Sequence, residues 1–458
     1  MRIAITLLVF LAALIGASAQ DNMLSPPQSD KRMYDIISEV SPDRIKSDIE
    51  TLVGFGTRHT LSDTVSQTRG IGAARRWIKE AFDNISDNCN GCLEVKYHKG
   101  LAKAEGNPRI AEDTWIVNVL AIKRGTTYPN KYIIMAGDID SRVSNIMNST
   151  DDSPGANDNA SGMAGVIEAA RVLSKYEFPM SIIFVGLSGE EQGLFGGKFL
   201  AKDAKSEGWD ILGVINNDMI GNIEGIDGVI DNTSFRVFSE PAPANQGEKD
   251  LIWNRFYGGE VDGPSRQLAR YVHNMTNRYM TNLKAVMIYR LDRFGRGGHH
   301  RPFNDEGFPG VRIMETHENY VRQHQDLRIE DGVKYGDVLE GVNFDYAAKL
   351  TAVNAICLAG IAWAPPAPDF VMIGGAVRPS TRLKWDPIPD NEDLLGYKIY
   401  WRDTTSPIWQ YSRFVGKETD VTLENIIIDN YLFGVSSVAK DGNESIVVYP
   451  KTLIPRRG

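Results

Sequence analysis

The chain has 458 residues, too many for one ordinary domain and enough for two or three. Its 42% hydrophobic and 24% charged content is that of a soluble globular protein. A formal net charge of −9 argues against a nucleic-acid partner, which would favour a basic face.

At the start of the chain, Arg2 precedes an apolar run, Ile3 to Ile15, and then Ala17-Ser18-Ala19. That is the form of an export signal cleaved after Ala19. The run is too short to span a membrane, and no later segment reads as a span. The mature protein is therefore expected to be exported, whether to a periplasm, a cell surface or the medium. Residues 20–33 are polar and expected to be flexible. Cys89 and Cys92 form a C-x-x-C in a turn-like Asp87-Asn88-Cys89-Asn90-Gly91-Cys92, where a small structural disulfide is preferred to a redox centre or a zinc knuckle. Cys357, in the apolar stretch Ala352 to Ala362, reads as a buried free thiol.

From Tyr34 to Trp363 apolar runs alternate with helical patterns. Strands are predicted over 131–137, 181–187, 213–219 and 310–314, and a helix over 163–173. Strands alternating with helices predict an α/β domain: a mostly parallel sheet with helices on both faces. The proline-rich segment 364–368 reads as a linker. Beyond it, over 369–458, short alternating strands at 381–385, 397–401 and 431–435 predict an all-β sandwich. This part resembles a fibronectin type III domain. Trp385 falls where that fold buries a tryptophan, and Tyr431 where it forms a tyrosine corner. Such a domain could contact the first domain or an external surface.

In an open parallel sheet, ligands bind beyond the carboxyl ends of the strands. Asp138 and Asp140 follow the first predicted strand, and Asp158 precedes the helix at Met163. Glu190 and Glu191 follow Ser181–Leu187, Asp218 closes 213–219, and His324 lies beyond the last strand. Any one of these acids alone is more often a cap or a solvated turn residue; Asp158 could simply cap its helix. Feeding one crevice together, they would repel one another strongly. Divalent cations are the natural counter-charge, and carboxylate plus imidazole suits zinc or manganese.

These segments resemble the di-zinc aminopeptidase family that also contains glutamate carboxypeptidases and glutaminyl cyclases, over about Tyr34 to Trp363. The resemblance implies a zinc-peptidase phosphorylase/hydrolase-like fold and two divalent metal ions. It carries Asp158, in Asn157-Asp158-Asn159-Ala160-Ser161-Gly162, as the bridging ligand. It carries Glu190 as general base and Glu191 as zinc ligand, in Ser188-Gly189-Glu190-Glu191-Gln192-Gly193. Asp218 and His324 complete the ligands. The family usually opens with Gly-His-x-Asp-Ser, whose histidine binds zinc, and here Asp138 stands in that place. A second site of Asp138, Asp158 and Asp218 would be harder and suited to manganese or cobalt as well as zinc. Asp140 is expected to orient a ligand.

The chemistry implied is amide hydrolysis by an exported exopeptidase acting on peptides, most simply an aminopeptidase. Glu190 would take a proton from the attacking water and return it to the leaving amine. A carboxypeptidase, a dipeptidase, a glutaminyl cyclase or a non-catalytic binding protein are the alternatives. Arg293 and Arg296 lie in a cationic segment and are candidates for binding a substrate carboxylate, against the plainer reading of a solvated loop. His300 precedes Arg-Pro-Phe, where the family often has Ser-Asp-His, and is a further site candidate. Residues 222–264 read as a lid or a surface insertion.

Overall fold

A computed structural model describes residues 25–389 and 391–455; the expected export signal lies outside them. Three helices come first: α1 (Lys31–Glu39), α2 (Pro42–Gly54) and α3 (Gly70–Asn88). Helix α1 starts inside the segment expected to be flexible because Asp30 caps it, accepting from the Arg32 N–H at 2.9 Å. Ser41 caps α2 in the same way, with Pro42 at its first position. Cys89 and Cys92 are joined as a disulfide in the turn after α3, and Cys357 is a buried free thiol.

The strands of the large sheet are β1 (Glu94–Ala102), β2 (Thr114–Lys123), β3 (Tyr128–Asp138), β4 (Met180–Leu187), β5 (Asp210–Asn217), β6 (Ser234–Ser239), β7 (Lys284–Ile288) and β8 (Gly310–Glu315). Their spatial order is β1-β2-β4-β3-β5-β8-β6-β7. The four central strands are parallel. Strands β2 and β6 run antiparallel to their inner neighbours. The central strands are the four predicted; the outer four were not anticipated. Segment 222–264 is not a separate insertion, since it supplies β6 to the sheet. Its helix α6, described below, buries no residue.

Strand β4 is buried at every position, which explains its unbroken apolar sequence: a strand covered on both faces has no solvent side. Ile182, Ile183, Phe184, Val185 and Leu187 are each fully buried, and each stabilises the fold by about 1.5–3 kcal/mol relative to exposure. The alternation of β3 divides its side chains between two cores. Ile133 and Met135 join a core built with α1, α2, α3, α4 (Gly162–Leu173), α7 (Pro264–Tyr279) and α9 (Phe344–Trp363). Ile134 and Ala136 face the core under α5 (Phe195–Ser206) and α8 (His300–Asp305). Helix α6 (Glu248–Tyr257) lies outside both.

Helix α9 corrects the expectation that nothing after the signal is apolar enough to span a membrane. It is long and apolar enough by composition, but 94% of its most apolar window is buried inside the protein. Its apolar surface is used by the core.

A small hairpin of β9 (Arg328–Glu330) and β10 (Val333–Tyr335) follows the segment that carries His324. The C-terminal region holds β11 (Asp369–Gly374), β12 (Thr381–Asp386), β13 (Leu394–Asp403), β14 (Tyr411–Phe414), β15 (Asp420–Leu423), β16 (Tyr431–Ala439) and β17 (Thr452–Leu453). They form two sheets, β15-β12-β11-β17 and β14-β13-β16. Thr381, Leu383 and Trp385 of β12 point inward and alternate with exposed Arg382, Lys384 and Asp386, the period-two signature of a half-buried strand. Tyr431 packs edge-on against Tyr411 and Phe433. The tyrosine whose hydroxyl closes a backbone corner is instead Tyr397, which accepts from the Ile388 N–H at 2.8 Å.

The sandwich is docked on the first domain. Asp262, just before α7, accepts from Arg270 Nη1 and from Arg402 Nη2 of β13, each at 2.6 Å. All three side chains are at most 1% exposed. The proline-rich connector is packed too, because Ser437 donates to the Pro365 carbonyl at 3.0 Å.

Candidate metal centre

The parallel strands β4, β3, β5 and β8 present their carboxyl ends along one edge, and the loops leaving them meet there. The Glu190-Glu191 turn is held from below. The Asp140 carboxylate accepts from the backbone N–H of Glu190 at 3.2 Å and of Glu191 at 3.0 Å, and from the Thr60 hydroxyl at 2.8 Å. The Ser188 N–H donates to Asn118 Oδ1 at 3.0 Å, which fixes where the turn leaves β4.

Asp158 sits in a wide turn, 156–161, ahead of α4. Gly155 opens this turn in the left-handed region, φ 52°, where a Cβ would lie 2.4 Å from the Cβ of Ser141 and 2.5 Å from the Asp158 carbonyl. Only glycine fits there. Asp337 fastens the turn: its carboxylate accepts from the N–H of Asn157 at 2.9 Å and of Asp158 at 2.7 Å. Its backbone carbonyl accepts from the Ala156 N–H at 3.2 Å. Asp158 does not cap α4. Asn159 accepts from the Gly162 N–H at 3.1 Å instead, which leaves the Asp158 carboxylate directed at His324.

There three side chains converge. His324 Nε2 lies 2.9 Å from Asp158 Oδ2 and 2.9 Å from Glu191 Oε1. One ligand atom from each residue lies within 4.8 Å of the others. Gln323 donates to Asp158 Oδ2 at 3.0 Å, and Arg142 donates to Glu191 Oε2 at 2.7 Å. Arg142 Nη2 also lies 2.6 Å from His324 Nδ1. His324 itself has a left-handed backbone, φ 56°, a conformation that costs about 1–3 kcal/mol for a residue with a side chain. Two carboxylates and one imidazole are a donor set that suits a zinc ion.

The electrostatics fit the same reading. Burial would push His324 down, but Glu191 and Asp158 outweigh it and raise the imidazole to about 9. Burial likewise opposes ionisation of Asp158 and Glu191, yet the adjacent imidazole holds both below the usual carboxylate range. A cation is wanted between them, and metal can take the proton's place. Glu190 differs. Burial, then Glu191 and Asp218, raise its carboxyl well above the usual range. Among the described residues, that carboxylate accepts no hydrogen bond and forms no ion pair.

The expected second cluster of Asp138, Asp158 and Asp218 is not assembled. Among the described residues the only group of metal-ligating side chains within mutual reach is Asp158, Glu191 and His324. Asp138 Oδ1 lies 2.5 Å from His299 Nδ1, and its Oδ2 accepts from Asn159 at 2.7 Å. Burial holds His299 down at about 4, so the ring is neutral and Nδ1–H donates. Asp218 is ion-paired with Arg312 at 2.9 Å.

Three more site candidates make contacts other than those expected. His300 turns away and bonds the Leu291 carbonyl at 2.8 Å; its predecessor His299 is the one that reaches the site. Arg293 and Arg296 both donate to Glu318 Oε2 at 3.1 Å, so their charge is committed within the fold. Asp337, Arg142, His299 and Arg312 were not anticipated. No local motif marks them, and only the fold brings them to the site.

Comparison with known proteins agrees with this geometry. The description "Peptidase family M28" matches residues 118–328. A probable zinc metalloprotease of Pyrenophora tritici-repentis is 39% identical over 433 residues, covering 93% of this chain and 88% of its own. Another from Leptosphaeria maculans is 38% identical, covering 93% of this chain and 98% of its own. Among solved structures, the LapA aminopeptidase of Legionella pneumophila superposes with a TM-score of 0.51 at 17% identity, over 73% of this chain and 76% of that one. A glutaminyl cyclase from Macrostomum lignano gives a TM-score of 0.50 at 14% identity, over 73% and 93%. At these identities the two structures speak for the fold.

Proposed function

This chain belongs to peptidase family M28, and from that premise we propose that it is a zinc-dependent exopeptidase removing N-terminal residues from peptides. The observation that carries the reading is the Asp158-Glu191-His324 group set beside the unpartnered carboxylate of Glu190. When bound there, zinc supplies Lewis-acid polarisation of the scissile carbonyl and acidifies the attacking water.

The chain's own residues do the rest. Asp337 and Gln323 hold Asp158, while Asp140 and Arg142 hold Glu191, so the ligands are fixed before substrate arrives. Glu190 accepts the proton of the attacking water as the new C–O bond forms. It returns that proton to the amine nitrogen as the C–N bond breaks. Burial and the neighbouring Glu191 and Asp218 carboxylates raise its pKa well above the usual range, which strengthens it as the acceptor of that proton. The C-terminal sandwich, read as fibronectin type III-like, braces this domain through the Asp262 ion pairs. The N-terminal signal pattern supports export.

A second reading has one specific observation in its favour. A single metal-ligating group also suits a glutaminyl cyclase, for which one zinc is enough. The test is a panel of aminoacyl anilides, dipeptides, N-acetylated peptides and peptides beginning with glutamine. The proposal expects amine release from free N-termini alone. Cleavage of blocked peptides would overturn the aminopeptidase assignment, and pyroglutamate formation without amine release would establish the cyclase.

A further inference from the structure

Two acids that could have served a second metal are already engaged. Asp218 follows β5, and Arg312 lies on the neighbouring β8, where Asn216 pairs with it across the sheet. That register brings the guanidinium against the Asp218 carboxylate, Nη2 to Oδ1 at 2.9 Å, with the side chains 0% and 3% exposed. The guanidinium is clamped. Nε donates to the Asp218 carbonyl at 2.7 Å, and Nη1 donates to the Gly297 carbonyl at 2.8 Å and to both Asp292 oxygens at 3.2 Å. Arginine keeps its proton in proteins, so no ordinary change of pH removes this charge.

Asp138 is engaged as well. Both its oxygens receive hydrogen bonds, from His299 Nδ1 at 2.5 Å and Asn159 Nδ2 at 2.7 Å. The donors are themselves fixed: His299 is fully buried, and Asn159 also donates to the Asn217 carbonyl at 2.7 Å.

We infer that this centre holds one metal ion per chain, and that Arg312 is the built-in cation that takes a second ion's place on Asp218. Asp158 and Glu191 balance one dication, Arg312 lies between Asp218 and Asp292, and Glu190 is left free to act as a base. A second dication would sit against a guanidinium that cannot lose its charge. Pushing Arg312 aside would break its buried ion pair with Asp218 together with its bonds to Asp292 and the Gly297 carbonyl. This inference rests on the metallopeptidase reading for the first metal, but it is tested separately.

The experiment uses the full chain, stripped with chelator, reloaded in excess zinc, desalted and analysed for metal per chain. Wild type is expected to hold one zinc, His324→Ala none, and Asp218→Asn still one. Two zincs in wild type, or a loss of one zinc in Asp218→Asn, would overturn the inference. The metal count is independent of peptide hydrolysis. One zinc with no hydrolysis would sink the peptidase reading and leave this one standing; two zincs with hydrolysis would do the reverse.

Discussion

Asp337→Asn tests whether the Asp158 turn is held from outside. The native carboxylate accepts from two backbone N–H groups, at 2.9 and 2.7 Å. Asparagine keeps the shape but offers one acceptor oxygen, and its NH2 group faces a donor. One buried N–H is then left without a partner, which costs about 1–3 kcal/mol. The cost falls on the conformation that directs Asp158 at His324. It therefore appears in zinc affinity as a loss of roughly 5- to 150-fold, at about 1.4 kcal/mol per decade. Residues that orient metal ligands typically cost 10–100-fold when changed, so the two figures agree. Competition with a chromogenic chelator reads the zinc dissociation constant directly. Circular dichroism on the same sample separates loss of the site from loss of the fold. An affinity unchanged from wild type in folded Asp337→Asn would refute the reasoning.

Other consequences follow from burial and charge. In zinc-free protein His324 titrates at about 9, against about 6.5 when unfolded. A folded pKa above the unfolded one stabilises fully below pH 6.5 and loses that contribution as pH rises through 9, by at most about 3 kcal/mol. The stability difference between zinc-free wild type and zinc-free His324→Gln should therefore shrink from pH 6.5 to 9.5. A difference independent of pH would contradict it. Asp262→Asn should lower the denaturant midpoint by the equivalent of about 3–5 kcal/mol or more, because it leaves the buried guanidiniums of Arg270 and Arg402 without their shared counter-charge. The same midpoint as wild type would show that the domain interface does not rest on this residue.

The central strands were legible because each carries a short apolar run followed by an acidic or histidine-bearing segment. Strand β4 shows why: burial on both faces forces the sequence to be apolar throughout. Trp385 and its alternating neighbours announced the sandwich for the opposite reason, one face being wet. The Asp158, Glu191 and His324 positions could be read from family-like motifs. Their supporting residues could not. Arg312 looks like any polar residue inside a strand until the β5–β8 register places it beside Asp218. His299 and His300 are indistinguishable in sequence, and the start of α8 decides which one faces Asp138. Tyr431 and Tyr397 show the same limit in the sandwich, where a motif named one tyrosine and the chain path used another.

In the proposed reaction Glu190 is a base standing beside, and not among, the zinc ligands. Glu190→Gln keeps the size of the side chain and removes only its basicity. Metal analysis and aminoacyl-anilide hydrolysis measured on the same preparation should show zinc at the wild-type level and turnover reduced by about 10²- to 10⁴-fold. Turnover close to wild type, or zinc lost along with the carboxylate, would contradict the assignment.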